Sequence, residues 1–492
     1  MEKKEDCIVN KYQERFTLVD EAGKVKNDIK EHELKTMSKI PKLGFMMIGL
    51  GGNNGTTVTA GILANKRKLQ WATKRGDAHA TYYGSFTQSV TTKIGMHVHK
   101  GPGDQLDIQD VHKAIKDLLP MVHPNDLVIG GWDISSMDMY NATIRAKVLE
   151  PDLIRQLKDD LSAIKPMSGI FTLSYVASNQ EARADNIKKG NNKELIAQVR
   201  EDIKNFKKNN QLDKIVVLWT ANTEKYFPKD IKTMEEMNKL IENNESLPAS
   251  VLYAIASLQE KAIFLNGSPQ NTLHTAIIEL ASKEGVPVAG SDFKSGQTKY
   301  KTVMGDFLIG SGMRCSSIVS YNHLGNNDGM NLSDPMTFKS KELSKVGVME
   351  DSIKANKELY PPGHDKIDHT VVIKYCPYVG DSKRAIDEYT SEIFLQGQNT
   401  ILTYNVCEDS ILAAPIMIDL CILAELMTRI SIDGKPMGPA LSYLSYFFKA
   451  PVTNHKEYIL NSFTRQRRAL TSLLKACAGY SPDDSTLLSF NY

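Results

Sequence analysis

Residues Leu43 to Ile48 form an apolar run that stops at Gly49-Leu50-Gly51-Gly52-Asn53-Asn54-Gly55. Beyond it, Val58, Ile62 and Leu63 recur at helical spacing. A strand, a tight glycine turn and a helix in this order commit the chain to an α/β unit. The turn places backbone N–H groups and a helix N-terminus where a pyrophosphate can sit. The third glycine of G-x-G-x-x-G falls on Asn54, with Gly55 one residue later, and no acid closes a second strand near Thr81 to Phe86. The turn by itself favours nucleotide binding over a plain strand-to-helix connection. Four further runs repeat the pattern: Asp126 to Gly131, Lys214 to Trp219, Lys261 to Gly267 and Val286 to Asp292. Each is short, apolar throughout, and ends in small or polar residues. Buried parallel strands look like this, in an open sheet whose ligands bind at the strands' carboxyl ends.

From about Thr298 to Glu408 the character changes, with strand-like alternation at Thr370 to Tyr375 and Ser391 to Leu395 among helical stretches. The expected organisation is an α/β fold in four pieces. Residues 1–42 are a polar arm or irregular cover. Residues 43–297 are the first part of the sheet domain, 298–409 an inserted α+β region, and 410–492 a return segment. Lys plus Arg is 60 against 58 Asp plus Glu, for a net charge of +2. That balance argues against a nucleic-acid binder or a polybasic membrane-surface protein. The most apolar stretch, Ile411 to Leu426, is interrupted by Pro415, Asp419 and Glu425, and the N-terminus lacks an apolar leader, so no membrane partner is expected. Six scattered cysteines without a C-x-x-C pair fit a reducing, cytoplasmic compartment.

Polar strand ends recur at Gly131 to Ser136, Thr220 to Glu224, Asn266 to Thr272 and at Asp292. Singly, each reads as helix capping; four at one sheet edge read as a shared ligand rim. Gly290 to Lys299 offers hydroxyl, amide and backbone donors around an open glycine, which suits a phosphate or simply opens a helix. It is not a Walker A loop. Ser320 to Gly329 is polar and glycine-flanked. Lys341, Lys345, Lys383 and Lys449 read on charge alone as surface lysines. His97 and His99 share one face of an extended segment with no third ligand, so no metal site is expected.

The segments GLGGNNG, GWDISSMDMYNA, NQEARADN, LWTANTEKY, NGSPQNT, GSDFKSGQTK, SYNHLGNNDG, DSKRAIDEY, NVCEDSILAAPIMIDL and FFKAP follow one another along the chain. Together they resemble the eukaryotic myo-inositol-1-phosphate synthase family, from about Leu43 to Leu474. The resemblance implies a Rossmann-like NAD-binding domain interrupted by an α+β tetramerisation domain, in a homotetramer. It implies conversion of glucose 6-phosphate to an inositol phosphate with NAD retained: oxidation at C5, enolisation at C6, closure onto C1, then re-reduction. A monovalent cation, ammonium or potassium, is an open requirement.

By resemblance, Lys341 with Asp292 serves the hydroxyl that is oxidised. Lys383 and Lys449 steady oxyanions, and Lys345 lies near the phosphate or the C5 oxygen. Ser295, Gly296, Gln297 and Thr298 hold the phosphate, with Asn322, Asn326 and Asp328 lining the same cavity. The cofactor positions are Gly51, Gly52, Asn53, Asn54, Asp133, Gln180, Arg183, Thr220, Ala221, Asn222, Thr223, Gly267, Ser268, Asp292, Asn326, Asn327, Asp328, Lys341, Asp381, Asp409 and Ser410. Asp133 takes the ribose role left vacant after the second strand. Since a dianionic phosphate raises a neighbouring lysine's pKa, the phosphate-side lysine is expected to stay protonated and Lys341 to act as base. The rivals are a net dehydrogenase, which would accumulate NADH, a non-catalytic NAD-binding scaffold and a metal-dependent lyase.

Overall fold

The computed structural model describes residues 2–4, 6–100, 106–453 and 461–482; the outermost parts of the first and last expected segments lie outside the described residues. The polar N-terminal stretch is not irregular. It forms a long antiparallel hairpin, β1 (Cys7–Val19) and β2 (Val25–Met37). Ile8 and Leu34 bury its base, while its outer half is solvent-exposed and held by the backbone ladder and cross-strand pairs such as Lys11–Glu31.

The apolar runs become strands covered on both faces. They are β3 (Leu43–Ile48), followed by α1 (Asn53–Arg67), then β4 (Val128–Asp133), β5 (Met167–Ser168) and β6 (Lys214–Trp219). Helix α2 (Ala249–Gln259), β7 (Ile263–Asn266) and β8 (Val288–Gly290) complete the series. All six strands pair in parallel, in the order β5-β4-β3-β6-β7-β8. Chain order reverses between β3 and β6, and the crevice at such a reversal is where open α/β sheets hold ligands. Two hairpins, Gln70–Thr73 with Gly76–His79 and Thr91–Lys100 with Leu106–Ala114, intervene between α1 and β4. The acid that is missing near residue 81 is therefore present, at the end of the true second strand: it is Asp133. His97 and His99 lie exposed on the second hairpin with their rings stacked.

Helix α3 (Gly296–Gly310) leads away from this sheet into a second one. Its parts are β9 (Arg314–Leu324), α4 (Pro335–Val346), β10 (Asp368–Tyr375), β11 (Ser382–Glu392) and β12 (Gln398–Glu408). The order is β10-β9-β11-β12, with only β9 and β10 parallel. Its own core gathers Leu308, Cys315, Ile318, Val348 and Tyr389. The strand expected over Ser391 to Leu395 ends at Glu392, because the chain turns at Leu395, where φ is +56°.

Helix α5 (Asp409–Met427) returns to the first core, packed against α1 and β6. It is long and apolar enough to cross a membrane, but 83% of its apolar window is buried inside the protein. Its Asp419 accepts hydrogen bonds from Ser85 and Thr87 side chains and from the Phe86 and Thr87 amides, which seats that loop on the helix. Then β13 (Ile430–Ile432) pairs with β2, and α6 (Phe463–Cys477) closes over the hairpin base.

Candidate functional site

The glycine turn joins β3 to α1 at the reversal point. Gly49 has φ +88°, which admits the turn, and a Cβ on Gly55 would lie 2.2 Å from the Leu50 carbonyl oxygen. Gly55 thus supplies the close approach that the motif usually draws from the residue before it. The N-cap of α1 is Gly52, so no side chain occupies the helix's first-turn N–H groups, and they face the crevice. Asp133 Oδ2 accepts from the Gly51 amide at 2.8 Å, and Oδ1 from Ser135 at 2.9 Å. Burial pushes its carboxyl up, against those two amides and the nearby Arg183 and Arg145. Gln180, Asn222 and Asn327 interlock through their amides at 2.6–3.0 Å, while Asn54 donates to Thr220. An uncapped helix start, an adjacent acid and a ring of amides fit a dinucleotide in this crevice.

A second cluster forms where the insertion meets the sheet. The stretch after β8 pairs with the segment before residue 452: Ser291 and Ala450 exchange hydrogen bonds, and the Lys449 amide donates to Asp292 O at 2.8 Å. That pairing sets Lys449 beside Asp292. Helix α4 brings Lys341 and Lys345 from the other side. Asp292 then lies between two ammonium groups, Lys341 and Lys449, each 3.0 Å from one carboxylate oxygen, with Ser344 donating at 2.6 Å. Burial would push Asp292 up; the two lysines outweigh it and hold it well below the usual carboxylate range.

The lysines differ. Burial works against the Lys341 ammonium, but Asp292 and Asp328 more than compensate, and its pKa is raised. For Lys449, burial outweighs Asp292 and, with repulsion from Lys341 and Lys383, brings it to about 7. Lys345 touches no carboxylate. Burial, then repulsion from Lys383 and Lys449, sends it well below the ordinary lysine value. The expectation that Lys341 most readily loses its proton is therefore overturned: its two acidic neighbours hold that proton in place. Lys383 approaches Asp409 at 3.5 Å. Asp381 accepts from the Ser410 amide and hydroxyl and from Asn53, tying α1, the insertion and α5 together.

One continuous cavity, open to solvent at its mouth, joins both clusters. Of the expected residues, Gly52, Asn53, Asn54, Asp133, Gln180, Arg183, Thr220, Ala221, Asn222, Gly267, Ser268, Asp292, Ser295, Asn322, Asn326, Asn327, Asp328, Lys341, Lys345, Lys383, Asp409, Ser410 and Lys449 line it. Gly51, Thr223, Asp381, Gly296, Gln297 and Thr298 stand behind the wall. There, Thr223 holds Asp328 and Gln297 holds Lys345. Sequence reasoning missed the apolar wall of Trp132, Ile134, Phe171, Trp219, Tyr253 and Leu332, and the buried Glu224, pushed up to about 7 by burial. Large apolar residues of this kind read as core in the sequence and give no sign of a cavity. Among the described residues, no group of three or more His, Cys, Asp or Glu side chains is arranged to hold a metal ion.

A Rossmann-like sheet with a phosphate-ready helix start, joined to a buried cluster of lysines, defines a nucleotide-dependent enzyme of the α/β class. The family model described as myo-inositol-1-phosphate synthase, an NAD-binding family, matches residues 43–475. The chain is 47% identical over 469 residues to inositol-3-phosphate synthase 1 of Oryza sativa subsp. japonica, covering 93% of this chain and 90% of that one. Inositol-3-phosphate synthase isozyme 1 of Arabidopsis thaliana is 46% identical over 476 residues, 95% of this chain and 91% of that one. The crystal structure of inositol-3-phosphate synthase from Caenorhabditis elegans superposes with a TM-score of 0.94 at 42% identity, covering 100% and 97% of the two chains. The chain belongs to the myo-inositol-1-phosphate synthase family.

Proposed function

We propose that this chain is an NAD-dependent isomerase that converts glucose 6-phosphate to inositol 3-phosphate. The observation that carries the reading is the convergence of Lys341, Lys345, Lys383 and Lys449 on one cavity with a dinucleotide crevice at its other end. NAD, when bound there, would supply a hydride acceptor that also returns the hydride, so the reaction would close without net redox change. Gly52, Asn53 and the first turn of α1 would take the pyrophosphate, and Asp133 a ribose hydroxyl. Ser295, at the start of α3, and Lys345 would hold the sugar phosphate, with Gln297 supporting Lys345 from behind.

Ring closure places negative charge on sugar oxygens, and fixed ammonium groups in a water-poor site stabilise such charge. Lys383 and Lys449 take this part. The triad Lys341–Asp292–Lys449 links the hydroxyl to be oxidised with an amine that is partly neutral near pH 7. Lys449, as the free amine, takes the hydroxyl's proton directly, while Asp292 and the protonated Lys341 stay charged and hold it in position. The first step thus charges the amine that the next step needs.

Leu402, Tyr404 and Val406 on the edge strand β12, with Phe394 and Leu395 beside them, leave an apolar face exposed. This supports assembly between copies, and we assign a homotetramer that works in the cytoplasm. The test of function is incubation with glucose 6-phosphate and NAD, following periodate-labile phosphate in the product together with NADH absorbance. Cyclised product without NADH build-up is the expected result. Stoichiometric NADH would overturn the isomerase reading in favour of a dehydrogenase.

A further inference from the structure

Lys345 is 2% exposed, and its Nζ donates to two neutral oxygens, Gln297 Oε1 and Asn322 Oδ1, each at 3.0 Å. A side-chain amide can present either its oxygen or its NH2 group to a neighbour, and only the oxygen can accept from the Lys345 Nζ–H groups. Each amide therefore needs a second partner that fixes which way it faces. Asn322 donates through Nδ2 to the Val372 carbonyl at 3.2 Å. Gln297 donates through Nε2 to Asp387 Oδ1 at 2.8 Å.

Asp387 lies on β11, 2% exposed, with its side chain turned inward beside Ala385 and Tyr389. It also accepts from the Ser320 hydroxyl. That hydroxyl accepts from Lys301 Nζ at 2.9 Å, and Lys301 reaches His369 Nε2 at 2.8 Å. An ionised carboxylate offers acceptor sites alone, so Gln297 can meet it only with its NH2 group. Its oxygen is then left for Lys345.

We propose that Asp387 is a positioning residue of the site: it locks the Gln297 amide so that Lys345 stays aimed into the cavity, where it receives the substrate phosphate. This rests on the reading of Lys345 as a phosphate ligand. Asp387 touches neither substrate nor cofactor; it acts through Gln297.

The test uses the full-length, NAD-loaded protein, with calorimetric binding of glucose 6-phosphate and KM and kcat measured side by side. Asp387→Leu should weaken binding and raise KM tenfold or more, with kcat changing less than threefold. Gln297→Glu alone sets two carboxylates against each other and should raise KM similarly. Adding Asp387→Asn to it restores a donor–acceptor match, since Asn can offer its NH2 group to the new carboxylate. That pair should recover at least fivefold in binding over Gln297→Glu. Asp387→Leu binding within twofold of the parent, or a swapped pair no better than Gln297→Glu, overturns the proposal. If the leucine variant does not fold, the swap decides. A parent that binds glucose 6-phosphate without turning it over would sink the functional reading and leave the binding comparison for Asp387 intact.

Discussion

Replacing Asp292 by Asn removes one charge from the centre of the lysine cluster and turns one of its two acceptor oxygens into an NH2 donor. The backbone there has φ +62°, which Asn tolerates as Asp does. Two unit charges at the observed 3.0 Å interact by roughly 5 kcal/mol at an effective dielectric near 20. About 1.4 kcal/mol corresponds to a change of one in pKa, so losing even part of that attraction lowers the Lys449 amine by well over one. In the parent, kcat/KM should fall on the acid side of about pH 7, where Lys449 takes up the proton that the triad must later accept. In Asp292→Asn this acid limb should move down by more than one pH unit. The plateau should drop about 100- to 1000-fold, as when a positioned charge-stabilising group is lost. The assay is initial-rate kinetics on glucose 6-phosphate with saturating NAD, from about pH 5 to 9. An acid limb that stays where the parent's lies, or a plateau within threefold, would refute the triad.

Gly55→Ala should lower stability by about 1–3 kcal/mol in urea unfolding and weaken NAD binding at least tenfold, since the new Cβ meets the Leu50 carbonyl; unchanged NAD affinity would contradict the fit of the turn. Burial lowers Lys294 and Lys449 to about 7 and Lys299 and Lys301 to about 8. Between those values and about 10.5 the unfolded chain carries more protons than the folded one, so stability rises with pH. The substrate-free melting temperature should climb from pH 7 to about pH 9, and a fall over that range would contradict the burial of these amines. Asp419→Leu strips acceptors from two buried amides and two hydroxyls, and at about 1–3 kcal/mol for each stranded group it should cost at least ~3 kcal/mol. Urea midpoints would measure it.

The parallel sheet was legible because each strand is covered on both faces, which leaves continuous apolar runs such as Ile215 to Trp219 in the sequence. The glycine turn was legible because close approach demands glycine. Asp133 was identified only through resemblance, because two hairpins separate α1 from the second strand and no local pattern gives their length. The meeting of Lys341 and Lys449 around Asp292, with Lys383 against Asp409, depends on contacts between segments far apart in the chain, and each lysine alone reads as surface. Asp387 sits in a strand whose inward face carries Ala385, Asp387 and Tyr389 while Ile386 points the other way. With Ile386 beside Asp387, the hydropathy of that strand leaves its inward face undecided. The hairpin at the N-terminus was obscured by its charge, because ladder hydrogen bonds between backbones leave no trace in hydropathy.

The hairpin's seat has a bearing on how the molecule is made. Asn10 bonds to the carbonyl of Cys477, 467 residues further on, and β2 finds its neighbour in β13. During synthesis the first strands leave the ribosome long before anything exists for them to rest on. Until translation passes α6 they present an open edge to sister chains on the same message. Expression yield should therefore depend on chaperone supply far more than the finished fold's rigidity would suggest.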